Sequence, residues 1–227
     1  MSKPIIKIKN LDKRYHYGKN QINIFKNLDF LVLKGDIISI LGPSGSGKST
    51  FLNIMGLLDA EFTGDYFLSN ENIKELSHSK KNKLRNQTIG FVHQFFHLIP
   101  ELSVIENICL PNLIKNNNFK KSYNLSKDIL VNFGLEDRMN FKPLNLSGGE
   151  KQRVAIARAL INKPDIIFAD EMTGNLDQKT SDLVFNFFIE KIKLNSQTLI
   201  FVTHNKLYAE KADKIFRINN QKLTKIK

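Results

Sequence analysis

The sequence predicts an α/β fold with a mostly parallel sheet and a helical insertion. Three observations predict it. Short apolar runs at Ile37–Leu41, Asp165–Ala169 and Thr198–Val202 have the length and composition of buried strands. Loops and helical segments alternate with these runs, as a parallel sheet requires. From about Leu102 to Leu160, β-branched alternation gives way to helical periodicity. The chain has 227 residues, 41% of them hydrophobic, enough to close one sizeable core.

Taken in order, Ile5 to Ile8 alternates with Lys7 and Lys9 and suits an edge strand. Ile24 to Leu33 reads as a second strand. Lys34-Gly35-Asp36 is a turn into the buried run Ile37–Leu41. A glycine-rich loop follows, and then an apolar helix through Phe51, Leu52, Ile54, Met55, Leu57 and Leu58. Thr88 to Val92 is a further short strand, Lys115 to Asn118 an exposed loop, and Ile215 to Ile218 the last strand before a lysine-rich tail. No repeat is visible.

The composition excludes some classes. No stretch approaches the roughly 18–20 apolar residues of a membrane-spanning helix. The segment Met1 to Asn10 has neither an apolar signal core nor a small-residue cleavage site. The expectation is a chain that stays in the cytoplasm and touches membrane only peripherally. The single cysteine, Cys109, has no partner for an internal disulfide and reads as a buried thiol. The net charge of +12 would suit a nucleic acid, an anionic membrane surface or a polyphosphate. The lysines are scattered with no dense basic run, which equally suits a lysine-rich solvated surface, so the charge alone decides nothing; no nucleic-acid partner is expected.

Gly42-Pro43-Ser44-Gly45-Ser46-Gly47-Lys48-Ser49 matches G-x-x-x-x-G-K-[ST]. Glycines let backbone N–H groups turn inward around phosphate oxygens. The helix that follows aims its positive end at the same charge. Lys48 is placed to reach the β- and γ-phosphates and Ser49 to ligate Mg²⁺, with Thr50 counted in the same binding set. A buried strand before the loop and a helix after it are the context the motif needs. This loop alone says that a nucleoside triphosphate binds.

Ile166-Ile167-Phe168-Ala169-Asp170-Glu171 is an apolar strand ending in two acids. Ligands of α/β sheets sit at the carboxyl ends of strands. Asp170 is therefore a candidate to hold Mg²⁺ through water, and Glu171 to act as general base toward an attacking water.

Leu146-Ser147-Gly148-Gly149-Glu150 opens a helix continuing through Val154 to Leu160. Ser147 and Glu150 form a capping box, S-x-x-E. The capping box leaves the two adjacent glycines unexplained, since they cost backbone entropy unless something approaches closely. Glycine amides and a serine hydroxyl at a helix N-terminus make a second anion site.

With these three stretches in one chain, the sequence resembles the ABC ATPase family over essentially its whole length. Gly42–Ser49 matches the family's Walker A motif, Ile166–Glu171 its Walker B and Leu146–Glu150 its signature. The resemblance implies a P-loop nucleoside-triphosphatase core in a single domain, 1–227. That core would have a mostly parallel sheet, an antiparallel β edge and a helical subdomain at about 95–160. It implies that Ser147, Gly148 and Gly149 touch the γ-phosphate of ATP held by a second copy of the chain, so that two ATPs are sandwiched by a head-to-tail dimer. Gln94 matches the Q-loop glutamine, which contacts Mg²⁺ and the attacking water. Asn175-Leu176-Asp177 matches the D-loop, and His204 the switch histidine. Tyr15 matches the aromatic that stacks on adenine, with Tyr17 a nearby competitor. Where the family usually has proline after its acid pair, this chain has Met172. Without the stiff ring, both carboxylates are expected in place around a looser Glu171.

The finer pattern Leu84-Arg85-Asn86-Gln87, Gly90-Phe91, Gln94-Phe95, His97-Leu98 and Pro100 is similar to the ATPases of bacterial lipoprotein-releasing systems. Thr173–Asp177 fits too, although related exporters share it. This likeness implies a separate integral membrane permease and a peripheral place on the cytoplasmic side of the bacterial inner membrane. Phe95, Phe96, Leu98 and Ile99 read either as anchors for that permease or as subdomain core. Efflux and cell-division ATPases of the same family, and ABC proteins outside transport, are the alternatives.

Overall fold

The structure is a computed structural model and describes residues 3–18 and 20–227, except the Tyr17 side chain. The chain divides into two compact units, Met1–Asn82 with Gln197–Lys227, and Lys83–Ser196.

The first unit holds two sheets. One is antiparallel, in the order β2 (Asn20–Leu33), β1 (Pro4–Tyr17), β4 (Thr63–Leu68), β5 (Glu71–Asn72). The expected edge strand at Ile5–Ile8 is not an edge. β1 pairs with β2 on one side and β4 on the other, and Ile5, Ile6 and Ile8 are buried. The lysines between them are tolerated because one face of this sheet stays wet. The sequence reading missed β4. Its run TGDYFL has glycine and aspartate, both poor strand formers, at its second and third positions, and only Tyr66 and Leu68 are buried.

The other sheet of this unit runs β10 (Lys222–Lys225), β9 (Lys214–Asn219), β3 (Ile37–Leu41), β8 (Thr198–Val202). β3 is parallel to both β8 and β9, and β10 closes an antiparallel hairpin on β9. The lysine-rich tail thus supplies a strand that the sequence reading did not name. Between β3 and β4 lies α1 (Lys48–Met55). Phe51 of α1 is fully buried and meets Phe25 and Phe30 edge-on, at 5.5 and 5.4 Å between ring centroids. These rings anchor the helix to the antiparallel sheet and so fix the loop in front of it. Phe51→Ala should destabilise the protein by about 3–5 kcal/mol, read as a lower midpoint in denaturant unfolding. An unchanged midpoint would show that the anchor is dispensable.

The division between the units falls within α2 (His78–Thr88). The second unit contains β6 (Ile89–Val92) and β7 (Ile166–Asp170), which are parallel. Its helices are α3 (Val104–Asn116), α4 (Phe119–Asn132), α5 (Gly148–Leu160) and α6 (Gln178–Leu194). The first three lie in the stretch where the periodicity is helical. Lys115 and Asn116 belong to the last turn of α3, and the turn that follows is capped by Asn117 in the left-handed conformation. Ile166 to Ala169 are fully buried, as a strand covered on both faces requires. Gly90 is needed on β6, since a Cβ there would lie 2.6 Å from the Ala159 carbonyl oxygen of α5. Cys109 is buried on α3. A last short helix, α7 (Lys206–Ala209), follows β8 in the first unit.

Candidate functional site: a phosphate loop, an acid pair and a capped glycine turn

The phosphate loop is built on the end of β3. Gly45 and Gly47 have φ of 75° and 95°, where a side chain would be strained. At Gly47 a Cβ would also meet Ile24 Cγ2 at 2.6 Å. Gly42 is confined as well, since a Cβ would lie 2.8 Å from the Ile218 carbonyl oxygen. No side chain caps α1, and no acid stands in its first turn. The positive end of its dipole is therefore not offset by a capping side chain or an acid of its own first turn, which suits an anion. Lys48 is buried, and its Nζ donates to the carbonyl oxygens of Gly42 and Pro43, each at 3.0 Å. The ammonium is thus folded over the loop it would serve. Ser46 Oγ is buried without a hydrogen-bond partner among the described residues, which a bound phosphate oxygen would relieve. Ser49 is exposed and Thr50 half-buried on the first turn of the helix.

Strand register brings His204 to the same edge. Ile40 of β3 pairs with Val202 of β8 in parallel. Gly42 and His204 therefore each stand two residues beyond a matched pair, and His204 is exposed there. Tyr15, on β1, is half-open to solvent and stands over the Lys13 ammonium. Tyr17, its competitor, has its side chain outside the described residues.

The second unit repeats this geometry. Val92 of β6 pairs with Ala169 of β7 in parallel, so Gln94 and Glu171 leave the sheet at the same level. Asp170 is the last residue of β7, and Glu171 follows with φ of 39°, an uncommon conformation for a non-glycine residue. The turn is closed by Gly174 N–H donating to the Glu171 carbonyl oxygen at 2.9 Å, and Met172 is buried in it. Burial and that hydrogen bond hold the turn at Met172, which lacks the stiffening ring of a proline. Gln94 is held from two directions. Asn175 Nδ2 donates to its carbonyl oxygen at 2.9 Å, and a Cβ on Gly174 would stand 2.7 Å from its amide nitrogen.

Ser147 caps α5. Its Oγ accepts from the Glu150 N–H at 3.3 Å, and its own N–H donates to Glu150 Oε2 at 2.8 Å. The Ser147 backbone bond comes first in keeping the Glu150 carboxyl below its usual pKa, opposed by partial burial and helped by the Ser147 hydroxyl and Arg138. The glycines have a use that the sequence did not reveal. A Cβ on Gly148 would lie 2.8 Å from Leu176 Cδ2, and one on Gly149 2.8 Å from Thr180 Cγ2. They let α5 approach the start of α6 closely. Asp177 is the N-cap of α6, accepting from the Thr180 N–H at 3.0 Å. Ser147 stays exposed while its hydroxyl also donates to Glu150 Oε2 at 2.8 Å.

Sequence reasoning missed Arg158. It projects from α5, and its two terminal nitrogens donate to the carbonyl oxygens of His97 and Phe96 at 2.6 and 2.9 Å, pinning the segment after Gln94. In one sequence it looks like any helix-end cation. Beside it, burial first, then His97 and Arg158, push His93 down to about 4, so His93 is neutral at pH 7. Phe95 is 64% and Ile99 36% exposed, with Phe96 and Leu98 half-buried. This short stretch is surface rather than subdomain core.

Among the described residues no group of three or more His, Cys, Asp or Glu side chains is placed to hold a metal ion. The Ser49 hydroxyl and the Asp170 carboxylate are each hard oxygen donors, of the chemistry that suits Mg²⁺. No helix among the described residues is long and apolar enough to cross a membrane.

Comparison with known proteins agrees with this arrangement. Residues 25–174 match the family profile described as ABC transporter. The lipoprotein-releasing system ATP-binding protein LolD of Wigglesworthia glossinidia brevipalpis is 44% identical over 222 residues, 97% of this chain and 96% of that protein. LolD of Legionella pneumophila (strain Lens) is 41% identical over 223 residues, 98% of each. Among solved structures, an ATP-binding cassette in a dimeric post-hydrolysis state bound to ADP and Pi has a TM-score of 0.88 and 37% identity. The match covers 98% of this chain and 99% of that one. A dimeric bacterial ABC transporter cassette has the same TM-score and coverage, with 38% identity.

Proposed function

The chain belongs to the ABC transporter family of ATP-binding proteins, and from that premise we propose that it is the ATPase of a lipoprotein-releasing system of the bacterial inner membrane. The observation that carries this reading is identity of 41–44% to LolD proteins over almost the full length of both chains. The fold is that of ABC cassettes, and the chemistry is ATP hydrolysis. We read the whole chain, 1–227, as one ATPase domain with its helical subdomain at about 95–160.

The reaction is ATP + H₂O to ADP and phosphate, in which the protein positions groups and stabilises charge. The loop Gly42–Thr50 wraps the phosphates in backbone N–H groups, and the Lys48 ammonium exchanges its carbonyl contacts for β- and γ-phosphate oxygens. Ser49 and Asp170 would hold Mg²⁺, Asp170 through water, with Gln94 beside them. When bound, Mg²⁺ neutralises charge on the β- and γ-oxygens. Glu171 accepts a proton from the attacking water as it closes on phosphorus. Gln94 orients that water, and His204 donates to the γ-phosphate. Tyr15 stacks on adenine.

Ser147, Gly148, Gly149 and Asp177 act on the ATP of a second copy, whose arrival closes the sandwich; dimeric solved relatives support this. Ser147→Arg should leave ATP binding to the monomer unchanged and abolish ATP-dependent dimerisation, read by light scattering. Normal dimerisation would remove the trans role. The exposed stretch Phe95–Ile99 is where an integral membrane permease would dock. That contact would keep the chain at the cytoplasmic face of the membrane without crossing it. Its cargo would be handled by the permease alone.

The test is mass spectrometry of proteins that co-purify with the Glu171→Gln form in mild detergent. A lipoprotein-release permease supports the reading. An efflux or cell-division permease would keep the ATPase and replace the system, and ribosomal or DNA-bound partners would overturn the transport role.

A further inference from the structure

Lys13 is 1% exposed, an uncommon place for an ammonium. Its Nζ donates to Asp59 at 2.8 Å and lies 4.5 Å from the centroid of the Tyr15 ring. The Lys13 ammonium lies 2.8 Å from both Asp59 oxygens, and the Tyr15 hydroxyl donates to Asp59 Oδ2 at 3.1 Å. Asp59 is itself fixed. It accepts from the Glu61 N–H at 3.0 Å, and its own N–H donates to the Asn53 carbonyl oxygen of α1 at 3.1 Å. The three side chains form a closed triangle tied to the end of the phosphate-loop helix. Burying a lysine has a desolvation cost that the Asp59 carboxylate, the more distant and exposed Glu61 carboxylate at 4.0 Å and a ring face must offset. A merely structural site would be served as well by a leucine.

We propose that Lys13 and Asp59 are positioning residues for the nucleotide base, holding Tyr15 on a fixed ammonium so that its open surface stacks on adenine at a set distance from the phosphate loop. This rests on the assignment of Tyr15 above. The cation lies at one face of the ring and draws on its negative quadrupole. The Tyr15 hydroxyl, bonded to Asp59, stops the ring from swinging outward. Tyr15 remains 42% exposed, with area left for a base. Because Asp59 hangs from α1, base and phosphates are recognised from one rigid piece, and the ring need not be ordered when the nucleotide arrives.

The experiment is calorimetric titration of MgADP and of magnesium pyrophosphate, which has no base, into the full chain. Ordering a free side chain on binding costs about 0.5–1.5 kcal/mol. Asp59→Asn and Lys13→Met should therefore each weaken ADP roughly 3- to 10-fold and leave pyrophosphate unchanged. In a Tyr15→Ala background, Lys13→Met should add no further loss. Equal weakening of ADP and pyrophosphate, or a full further loss without Tyr15, would overturn the positioning role. Asp59→Asn keeps an acceptor for the buried ammonium, so it serves if Lys13→Met does not fold. Unchanged ADP affinity in Tyr15→Ala would overturn the assignment of Tyr15 itself. A loss in Tyr15→Ala with none in Asp59→Asn would overturn the positioning role alone.

Discussion

Glu171→Gln should bind ATP as tightly as the native chain, lose turnover by about 10²- to 10⁴-fold, and accumulate as an ATP-bound dimer. Glutamine keeps the size and a hydrogen-bond acceptor, so the water can still be bound. It cannot take the proton that the water must shed as it attacks. The backbone at this residue, with φ of 39°, is set by the turn to Gly174 and the burial of Met172, and the substitution touches neither. Phosphate release under steady state checks the rate, and gel filtration with ATP checks the trapped dimer. Unchanged turnover would remove Glu171 as the base. Met172 offers a companion comparison. If the buried methionine holds the turn as well as the family's proline, Met172→Pro should change the rate little.

Lys48→Ala should abolish hydrolysis and weaken ATP binding. A charged hydrogen bond is worth about 1.5–3 kcal/mol, so losing the ammonium should raise Kd roughly 10- to 150-fold. The carbonyl oxygens of Gly42 and Pro43 lose their donor in the same variant, so the loop should rearrange. Equilibrium binding of a fluorescent ATP analogue reads the affinity, and phosphate release reads the rate. Normal values for both would sink the phosphate-loop assignment. Comparison with Phe51→Ala separates the effects: that variant should lose stability first, whereas Lys48→Ala should lose nucleotide first.

Several parts of the site were legible in the sequence because their chemistry is local. A phosphate loop is one continuous turn whose glycines, lysine and serine act at fixed short spacing, so Gly42–Ser49 could be read without knowing what surrounds it. The capping box of Ser147 and Glu150 is likewise a matter of three residues along a helix. The apolar runs before Gly42 and Asp170 announced buried strands because a strand covered on both faces must be apolar throughout. Tertiary structure decided what depends on pairing across distance. Whether β1 is an edge or an interior strand turns on β4, which its own residues barely signal. That Gln94 leaves the sheet level with Glu171, and His204 level with Gly42, follows from the parallel registers of β6 with β7 and β3 with β8. The glycines of the signature turn proved to have close neighbours in Leu176 and Thr180, and Arg158 proved to reach carbonyls more than sixty residues back. Lys13 shows the limit most plainly. In sequence it is one of many scattered lysines, and only the fold, by burying it against Asp59 and Tyr15, makes its charge specific.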